Sequence, residues 1–292
     1  SPMDFVLWKP SLDEDPGWDS PWGRGRPGWH LECSVMSEKY LGKNFDIHGG
    51  GLDLIFPHHE NEIAQSCCTS ASIDEPDSYA KYWMHNGFVR IDDEKMSKSL
   101  GNFFTVREVI AKYDPEVVRY FILTSQYRSP LNYSDEQLDQ AKNALTRYYT
   151  ALRDVELEEN VVWQDDMEFG SRFKVAMDDD FNTALALSVM ADVRLALNKA
   201  QENQDKEQVS YFAGLLTSFG QVLGLFQQSA TDFLVGDAGD EDENAKVESL
   251  IEARNTARAD KDWAKADQVR DELTTMGIVL EDNAGKTSWR RS

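Results

Sequence analysis

The pentapeptide Lys-Met-Ser-Lys-Ser at residues 95–99 carries two lysines three positions apart and is followed by Leu-Gly-Asn. Ammonium groups can neutralise negative charge that develops on a leaving pyrophosphate, and neighbouring hydroxyl and backbone N–H groups can add hydrogen bonds. An arbitrary Lys-x-x-Lys pattern would indicate only a basic surface loop. The full pentapeptide predicts instead a loop that closes on phosphates, with Lys95 and Lys98 as its charged groups.

A second group of chemically capable side chains follows three consecutive glycines at 49–51. Pro57 can open a helix, which would place His58 and Glu62, at i and i+4, on one face. A neutral imidazole and a carboxylate on adjacent turns can hold one metal ion, and the pattern differs from the His-Glu-x-x-His of metalloproteases. An ordinary polar helix N-terminus is the alternative that these residues alone leave open.

Cys33 is a candidate third ligand, and a Cys/His/Glu set suits Zn²⁺ with one coordination position left over. Its alternative is a buried free cysteine that packs as a small apolar residue. The other two of the three cysteines, Cys67 and Cys68, have no histidine or carboxylate at ligand spacing and are interpreted as structural. Three cysteines are too few for a disulfide scaffold.

The elements that must position these groups are mixed α/β in the first hundred residues. Short strand-like apolar runs at 4–8, 45–47 and 87–91 flank a loop over 10–28 that is rich in Pro, Gly and Trp. Farther along, Asp114-Pro115-Glu116 predicts a helix start with Asp as N-cap.

From about residue 134 the pattern becomes helical. Ser134-Asp135-Glu136-Gln137 predicts a capping box, and three apolar stripes at helical spacing predict an antiparallel bundle. The stripes are Leu138, Ala141, Leu145, Tyr148 and Leu152; then Leu185, Val189, Val193 and Leu197; then Phe212, Leu215, Phe219, Val222 and Phe226. After an acidic linker at 236–243, two short helical patterns precede a hairpin formed by 278–281 and 287–291.

The charge of the chain first argues against a nucleic-acid partner. Its 292 residues carry 52 acidic and 30 basic side chains, a formal net charge of −22. Most of this acidity lies in residues 1–100 and 151–250, whereas 101–150 and 251–292 are neutral. No apolar run approaches the ~18–20 residues of a membrane span, and the first residues are not a signal peptide, so a cytoplasmic enzyme is expected.

Taken in order, several segments resemble cysteinyl-tRNA synthetase of bacterial type, a class I aminoacyl-tRNA synthetase. The matching segments are 2–9, 28–33, 46–51, 56–62, 95–99, 276–282 and 289–291. The resemblance implies an α/β plus all-α fold, which is the C-terminal half of a Rossmann-like catalytic domain followed by helical and small α+β domains. It implies these divisions: catalytic 1–90, KMSKS loop and stem-contact region 91–130, anticodon-binding bundle 131–235, linker 236–243 and anticodon-recognition domain 244–292.

The resemblance also implies a chemistry, in which L-cysteine and ATP, with Mg²⁺, form cysteinyl-adenylate, and the acyl group then passes to cysteine tRNA. Zn²⁺ would bind the substrate thiolate through Cys33, His58 and Glu62, with a fourth protein ligand outside this chain. Trp29 and His48 would line the cysteine pocket. Asp53 would contact the adenosine ribose, while Lys95 and Lys98 would hold the phosphates and Lys98 would contact ATP directly.

The tail would contact tRNA through basic and aromatic residues. Phosphate contacts would come from Arg254, Arg258, Lys261, Lys265 and Arg270, and contacts to unstacked bases from Trp289, Arg290 and Arg291. A core position under the hairpin is the open alternative for Trp289. No membrane partner is expected, and the parent enzyme would be a monomer.

One departure from the family pattern limits these expectations. The HIGH motif that holds ATP in the family, and one more zinc-binding cysteine, are not found in residues 1–292. The chain is therefore expected to be a C-terminal portion that is inactive alone. Two alternatives stay open: a non-catalytic tRNA-binding module, and a cysteine ligase of small-molecule metabolism of the mycothiol type. The tail at 244–292 argues against the second alternative.

Overall fold

The computed structural model describes residues 4–70, 78–91, 94–96, 104–156, 161–166, 168–235, 241–283 and 286–291. The chain divides into two compact units. Unit 1 comprises Ser1–Phe103 and Gln126–Tyr133, and unit 2 comprises Phe104–Ser125 and Ser134–Ser292. Within the described ranges, no helix is both long enough and apolar enough to cross a membrane. The domain boundaries implied at 90, 130 and 243 stay predictions.

Unit 1 is the mixed α/β part of the chain. Its strands are β1 Trp8–Pro10, β2 Gly25–Pro27, β3 Phe45–Gly51, β4 Ala80–Asn86, β5 Val89–Ile91, β6 Glu94–Lys95 and β7 Leu131–Tyr133, and its helices are α1 Trp29–Leu41 and α2 Glu60–Ser70. Strands β3 and β4 are parallel, with Phe45 opposite Ala80. Strand β5 pairs antiparallel with β6 and parallel with β7. The connection from β3 through α2 to β4 is the parallel crossover that an α/β fold requires.

The first strand lies later than the apolar run at 4–8 predicts. Strand β1 begins at Trp8, because its antiparallel partner β2 pairs Trp8 with Pro27 and Pro10 with Gly25. The chain before it is held by a hydrogen bond from Gly28 N to Leu7 O of 2.8 Å. A Cβ at residue 28 would lie 1.8 Å from Val6 O, so only glycine allows this approach at the start of α1.

A small apolar core supports unit 1. It contains Phe45, Cys67, Tyr79 and Ala80, with Ile63 and Trp83 packed against it. The burial of Cys67 fits the structural interpretation of that cysteine, whereas Cys68 is exposed. The core therefore fixes β3, α2 and β4, the elements that carry most of the chemically capable side chains.

Unit 2 is helical and ends in a hairpin. Its helices are α3 Val106–Ile110, α4 Pro115–Leu123, α5 Asp135–Leu152, α6 Phe169–Asp178, α7 Thr183–Glu202, α8 Lys206–Leu223, α9 Ala230–Val235, α10 Glu241–Ala259 and α11 Trp263–Thr275. The Asp114 side chain accepts from Glu116 N, and the Ser134 side chain accepts from Gln137 N, so the N-cap role of each residue is confirmed.

The predicted apolar stripes form most of the buried face of the bundle. Leu138, Leu145, Val193 and Phe219 are fully or almost fully buried. Two stripe positions are wrong, because Leu185 is 43% exposed and Val222 is 49% exposed. The buried positions there are Ala186 and Leu223, one residue later, which shows that spacing alone left the centre of each apolar face uncertain by one position.

The C-terminal part of unit 2 contains α10, α11 and the predicted hairpin. Strands β8 Ile278–Asn283 and β9 Lys286–Arg291 pair antiparallel, with Leu280 opposite Trp289. They are longer than predicted, and residues 284–285 between them lie outside the described part. Helix α10 begins at Glu241, so its first three residues fall within the range 236–243 that is predicted to be a linker.

Candidate metal and substrate site

The three residues predicted to bind metal converge in unit 1. The ligand atoms of Cys33 on α1, of His58 just before α2 and of Glu62 in the first turn of α2 all lie within 4.8 Å of one another. His58 Nε2 is 2.5 Å from Glu62 Oε1, and the Glu62 side chain has no exposed surface. A sulfur, an imidazole nitrogen and a carboxylate oxygen are donors that suit Zn²⁺.

The backbone turn that leads into α2 orients the side chains of His58 and Glu62. Phe56 has extended dihedrals (φ −132°, ψ 133°), and the helical turn that follows it leads directly into α2. The backbone thus changes from extended to helical at Pro57, as predicted from its fixed φ. His58 and Glu62 then lie one helical turn apart on the same face.

The Glu62 carboxylate fits a cation ligand because one of its oxygens is orphaned. Oε1 is buried and, among the described residues, receives no hydrogen bond, although His58 Nε2 is close to it. Oε2 contacts His48 Nε2 at 3.1 Å and accepts a hydrogen bond from the Tyr79 hydroxyl at 3.2 Å. Buried carboxylate oxygens without a partner are costly, and a cation would relieve that cost.

Charge within the cluster favours an ionised Glu62. Burial raises the pKa of this carboxyl, but the hydrogen bond from His48 and the nearby imidazoles outweigh it and lower the pKa overall. Burial, with the Glu62 charge as second cause, raises the pKa of the Cys33 thiol. A cation bound between them would oppose that rise, since coordination deprotonates a thiol.

The Tyr79 hydroxyl connects the surroundings of two candidate ligands, Cys33 and Glu62. Its hydroxyl lies 3.0 Å from Ser37 Oγ, and Ser37 Oγ donates to the backbone carbonyl of Cys33. The same hydroxyl donates to Glu62 Oε2. Burial raises the pKa of Tyr79 to about 12, so the hydroxyl keeps its proton. This link between α1 and α2 was not predicted from the sequence, because Tyr79 carries no motif.

All five histidines of the chain belong to this site. His30 Nδ1 is 2.7 Å from His58 Nδ1, and His59 Nδ1 is 2.8 Å from His85 Nε2. Burial, with His48 as second cause, lowers the pKa of His59 to about 4, and burial also lowers the pKa values of His30 and His85. Sequence reasoning did not predict His30, His59 and His85. The available signal was that every histidine falls within residues 30–85.

The predicted substrate-pocket residues lie at different distances from the cluster. The Trp29 ring is 5.1 Å from the His58 ring and is 69% exposed, and His48 contacts Glu62 directly. Asp53 follows β3 in a short turn, Leu52–Leu54. The backbone of Lys95 in β6 pairs with that of Arg90 in β5. Lys98 lies outside the described residues. The roles given to these residues stay predictions.

The predicted base-contacting residues at the end of the chain are tied into unit 2. Trp289 is 7% exposed, lies in the apolar cluster of α10, α11 and the hairpin, and donates from Nε1 to Glu248 Oε1 at 2.6 Å. This burial fits the core alternative, and the stacking role given to Trp289 stays a prediction. Arg290 pairs with Glu281, and Arg291 pairs with Glu243.

The predicted phosphate contacts divide in the same way. Arg254 is buried and donates to both Asp282 carboxylate oxygens, at 3.0 and 2.8 Å. Its role is therefore structural, whereas Lys261 and Lys265 are exposed. Arg258 is exposed too but shares Asp282, at 3.0 Å. The composition of residues 244–292 does not predict which of these basic side chains are buried.

A cavity of about 830 Å³ in unit 2 is lined by basic and acidic side chains, the acidic ones being Asp154, Glu202 and Glu281. It is lined by residues of α5, α7 and the hairpin, among them Asn143, Thr146, Arg147, Arg194, Asn198 and Arg290. Arg194 lies over the Tyr148 ring at 5.7 Å. Within the described ranges, neither Arg147 nor Arg194 forms an ion pair with a carboxylate. These two arginines were not predicted, because they lie in the most acidic half of the chain or beside it.

Comparison with protein families defines the class of the protein. The chain matches the catalytic domain of class I (C) tRNA synthetases over residues 1–143, the DALR domain over 172–227 and the cysteinyl-tRNA ligase anticodon binding domain over 240–290. It therefore combines part of an α/β class I synthetase catalytic domain with a helical domain and a small C-terminal domain, and the predicted fold class is confirmed.

Similar proteins narrow the class to one family. The cysteine–tRNA ligases of Idiomarina loihiensis, Colwellia psychrerythraea and Thioalkalivibrio sulfidiphilus are 55%, 54% and 56% identical over 291, 292 and 291 residues. These alignments cover 99–100% of this chain and 61% of each relative. The chain belongs to the cysteine–tRNA ligase family and spans about 61% of the length of these relatives.

One solved structure is also similar. A LeuRS chain from the ternary complex of Agrobacterium radiobacter LeuRS with tRNA and LeuAMS aligns with 71% of this chain and 32% of its own length, at 18% identity and a TM-score of 0.49.

Proposed function

We propose that the protein ligates L-cysteine to cysteine tRNA through an ATP-dependent cysteinyl-adenylate. The observation that carries the proposal is the convergence of Cys33, His58 and Glu62, with an orphaned buried oxygen on Glu62, in a chain of the cysteine–tRNA ligase family. Zn²⁺, when bound by these three residues, supplies a Lewis acid that holds a substrate thiolate.

This metal site would select cysteine over serine. The two amino acids differ by one atom, and a pocket that judges size alone discriminates such pairs by only about 100-fold. A thiolate is a strong soft ligand, whereas a hydroxyl is a poor one. His48 holds the second oxygen of Glu62, and Trp29 forms an exposed aromatic wall next to His58. These contacts support a pocket in which the amino acid lies between Trp29 and the metal ligands.

Activation would depend on positioning and on charge stabilisation rather than on a protein nucleophile. The substrate carboxylate is itself the nucleophile toward the α-phosphate of ATP. Lys95 and Lys98 would neutralise charge on the leaving pyrophosphate, and Asp53 would contact the ribose. Mg²⁺ would accompany ATP. These assignments rest on the Lys-Met-Ser-Lys-Ser segment and on the position of Asp53 directly after β3.

Unit 2 would bind the tRNA. The groove contains Arg147 and Arg194, which form no direct ion pair among the described residues and could bind phosphate oxygens, although Asp154, Glu202 and Glu281 also line it. Lys261 and Lys265 add exposed positive charge near the end of the chain. Buried Trp289 and the paired Arg254 are not part of this interface.

The 292-residue chain would not complete the reaction by itself. The HIGH motif that the family uses for ATP is not among its residues, so cysteine-dependent pyrophosphate exchange is not expected from the pure chain. Clear exchange activity would contradict this part of the proposal. A non-catalytic tRNA-binding module is the second candidate because residues of this chain form unit 2 and its groove.

Filter binding with transcribed tRNAs tests the proposed partner. Cysteine tRNA is expected to bind the chain at least about tenfold more tightly than an unrelated tRNA at equal salt. The double variant Arg147→Ala/Arg194→Ala should weaken the binding of both tRNAs and reduce the salt dependence of the binding affinity. Arg172→Ala, which removes an exposed arginine already paired with Asp192 at 2.5 Å, is the matched control. Equal binding of the two tRNAs would contradict the proposed partner.

A further inference from the structure

The side chains around Glu62 contain a second set of three metal-capable donors. His48, His59 and Glu62 offer ligand atoms that also lie within 4.8 Å of one another. They share Glu62 with the first set but use neither Cys33 nor His58. His48 belongs to β3 and His59 stands just before α2, so the two imidazoles come from different elements and meet at one carboxylate.

The two oxygens of Glu62 face the two sets separately. Oε1 faces His58, while Oε2 is 3.1 Å from His48 Nε2. Two ligands of a tetrahedral zinc ion, each about 2.0–2.1 Å from the metal, are about 3.3 Å apart. The His48–Glu62 separation already approaches that spacing, so a cation can replace the hydrogen bond with little movement of either side chain.

The orientation of His59 suits a metal ligand. Its Nδ1 is 2.8 Å from His85 Nε2, and no hydrogen bond reaches its Nε2 in the part of the chain that the structure describes. Metal-binding histidines commonly use one ring nitrogen in such a bond while the other binds the metal. A Cβ at residue 50 would lie 2.9 Å from the His59 ring, so Gly50 leaves just enough room for the imidazole. His59 itself is only 3% exposed.

We propose that His48, His59 and Glu62 form a second divalent-cation site, which shares the Glu62 carboxylate with the Cys33/His58 site. Two imidazoles and one carboxylate bind Zn²⁺ and similar first-row dications well, and bridging carboxylates occur in two-metal sites with metals about 3.5–4 Å apart. The site does not depend on the ligase function, because binding a metal requires neither ATP nor tRNA.

Cobalt(II) titration of the full 292-residue chain tests this site, since Co²⁺ reports its ligands through its absorption spectrum. A thiolate ligand gives a near-ultraviolet charge-transfer band, whereas nitrogen and oxygen ligands give only visible bands. The wild-type chain is expected to bind two Co²⁺ ions, one with and one without thiolate. Cys68→Ser, at the exposed cysteine outside both sets, is the matched control and should also bind two.

Two variants separate the sites. Cys33→Ser should bind one Co²⁺ and lose the charge-transfer band, whereas His59→Gln should bind one Co²⁺ and keep it. His48→Gln, at a less buried position, should behave like His59→Gln and guards against misfolding, which circular dichroism of the metal-free chain checks. The proposal is overturned if the wild-type chain saturates at one ion, if Cys33→Ser binds none, or if both histidine variants still bind two.

Discussion

Among the described residues, the α/β unit and the helical unit each bury one glutamate, with Glu62 at 0% and Glu116 at 6% exposure. The two carboxylates have opposite hydrogen-bonding states. Glu116 accepts from the Tyr149 hydroxyl at 3.0 Å from each oxygen, from Phe226 N at 2.7 Å and from Gln227 N at 3.1 Å. Glu62 accepts hydrogen bonds on Oε2, whereas Oε1 accepts none among the described residues and lies 2.5 Å from His58 Nε2.

This difference separates a structural carboxylate from a ligand. A buried charge whose lone pairs all accept hydrogen bonds holds parts of the fold together, and Glu116 joins α4, α5 and the segment after α8. A buried charge whose oxygen lies beside a thiol and an imidazole and accepts no hydrogen bond can instead bind a cation. Burial alone therefore does not identify a functional glutamate, whereas the count of its partners does.

The largest expected effect is on metal binding at Glu62. Glu62→Gln should weaken the metal affinity of the chain by more than about 100-fold, because removal of a ligand exceeds the ~10–100-fold loss usual for residues that only support one. The stability of the metal-free chain should change little, since glutamine can still accept from His48 and Tyr79. Competition with a chromophoric chelator measures the affinity, and unchanged affinity would remove Glu62 from the site.

The second largest effect is expected on the stability of the fold and not on metal binding. Glu116→Gln should lower the free energy of unfolding by about 2 kcal/mol, because the amide nitrogen cannot accept the hydrogen bonds that reach one carboxylate oxygen. Metal affinity should not change. Urea unfolding measures the effect, with Glu136→Gln, on the first turn of α5, as the control. A stability equal to that of the control would show that the buried network is not structural.

A smaller effect is expected at the tyrosine that supports Glu62. Tyr79→Phe keeps the buried ring but removes the hydroxyl that links Glu62 to Ser37, and should weaken metal binding about tenfold. Tyr82→Phe is the matched control on β4, the strand that Tyr79 immediately precedes, because Tyr82 is 67% exposed. The chelator competition used for Glu62 applies, and equal affinities of the two variants would contradict the supporting role.

The smallest effect concerns Asp282, a carboxylate nearer the surface. Hydrogen bonds from Arg254 hold the pKa of Asp282 well below its usual range, with Thr287 contributing. A depressed folded-state pKa gives stability that is present above the unfolded pKa of about 3.9 and is lost as pH falls below it. Asp282→Asn should flatten the decline in stability between about pH 5 and 2, as followed by thermal unfolding. An unchanged decline would contradict this.

Local signals in the sequence predicted much of the fold. The caps at Asp114 and Ser134 and the apolar stripes depend on neighbouring residues, so spacing predicts them. The metal set could be predicted in part because His58 and Glu62 are one turn apart. Glu116 was predicted only as an acidic first-turn residue, because its partners Tyr149, Phe226 and Gln227 come from far along the chain.

The errors have the same physical origin. Trp289 is compatible both with a stacking role and with a core position, and only the packing of α10 and α11 against the hairpin decides between them. Tyr79 and His85 reach the metal-ligand cluster through the parallel pairing of β3 with β4, which no local pattern specifies. Contacts between distant segments are therefore what the sequence alone could not provide, both in the fold and in the site.

The most direct test of amino-acid selection by the thiol is the absorption of the cobalt-loaded chain with and without L-cysteine. The site should accept the substrate thiolate beside Cys33, so L-cysteine should roughly double the charge-transfer absorbance per chain, as expected for a second soft sulfur ligand. L-serine should leave it unchanged. If L-cysteine has no effect on this band, or if L-serine has the same effect, then Cys33, His58 and Glu62 do not select the amino acid by its thiol.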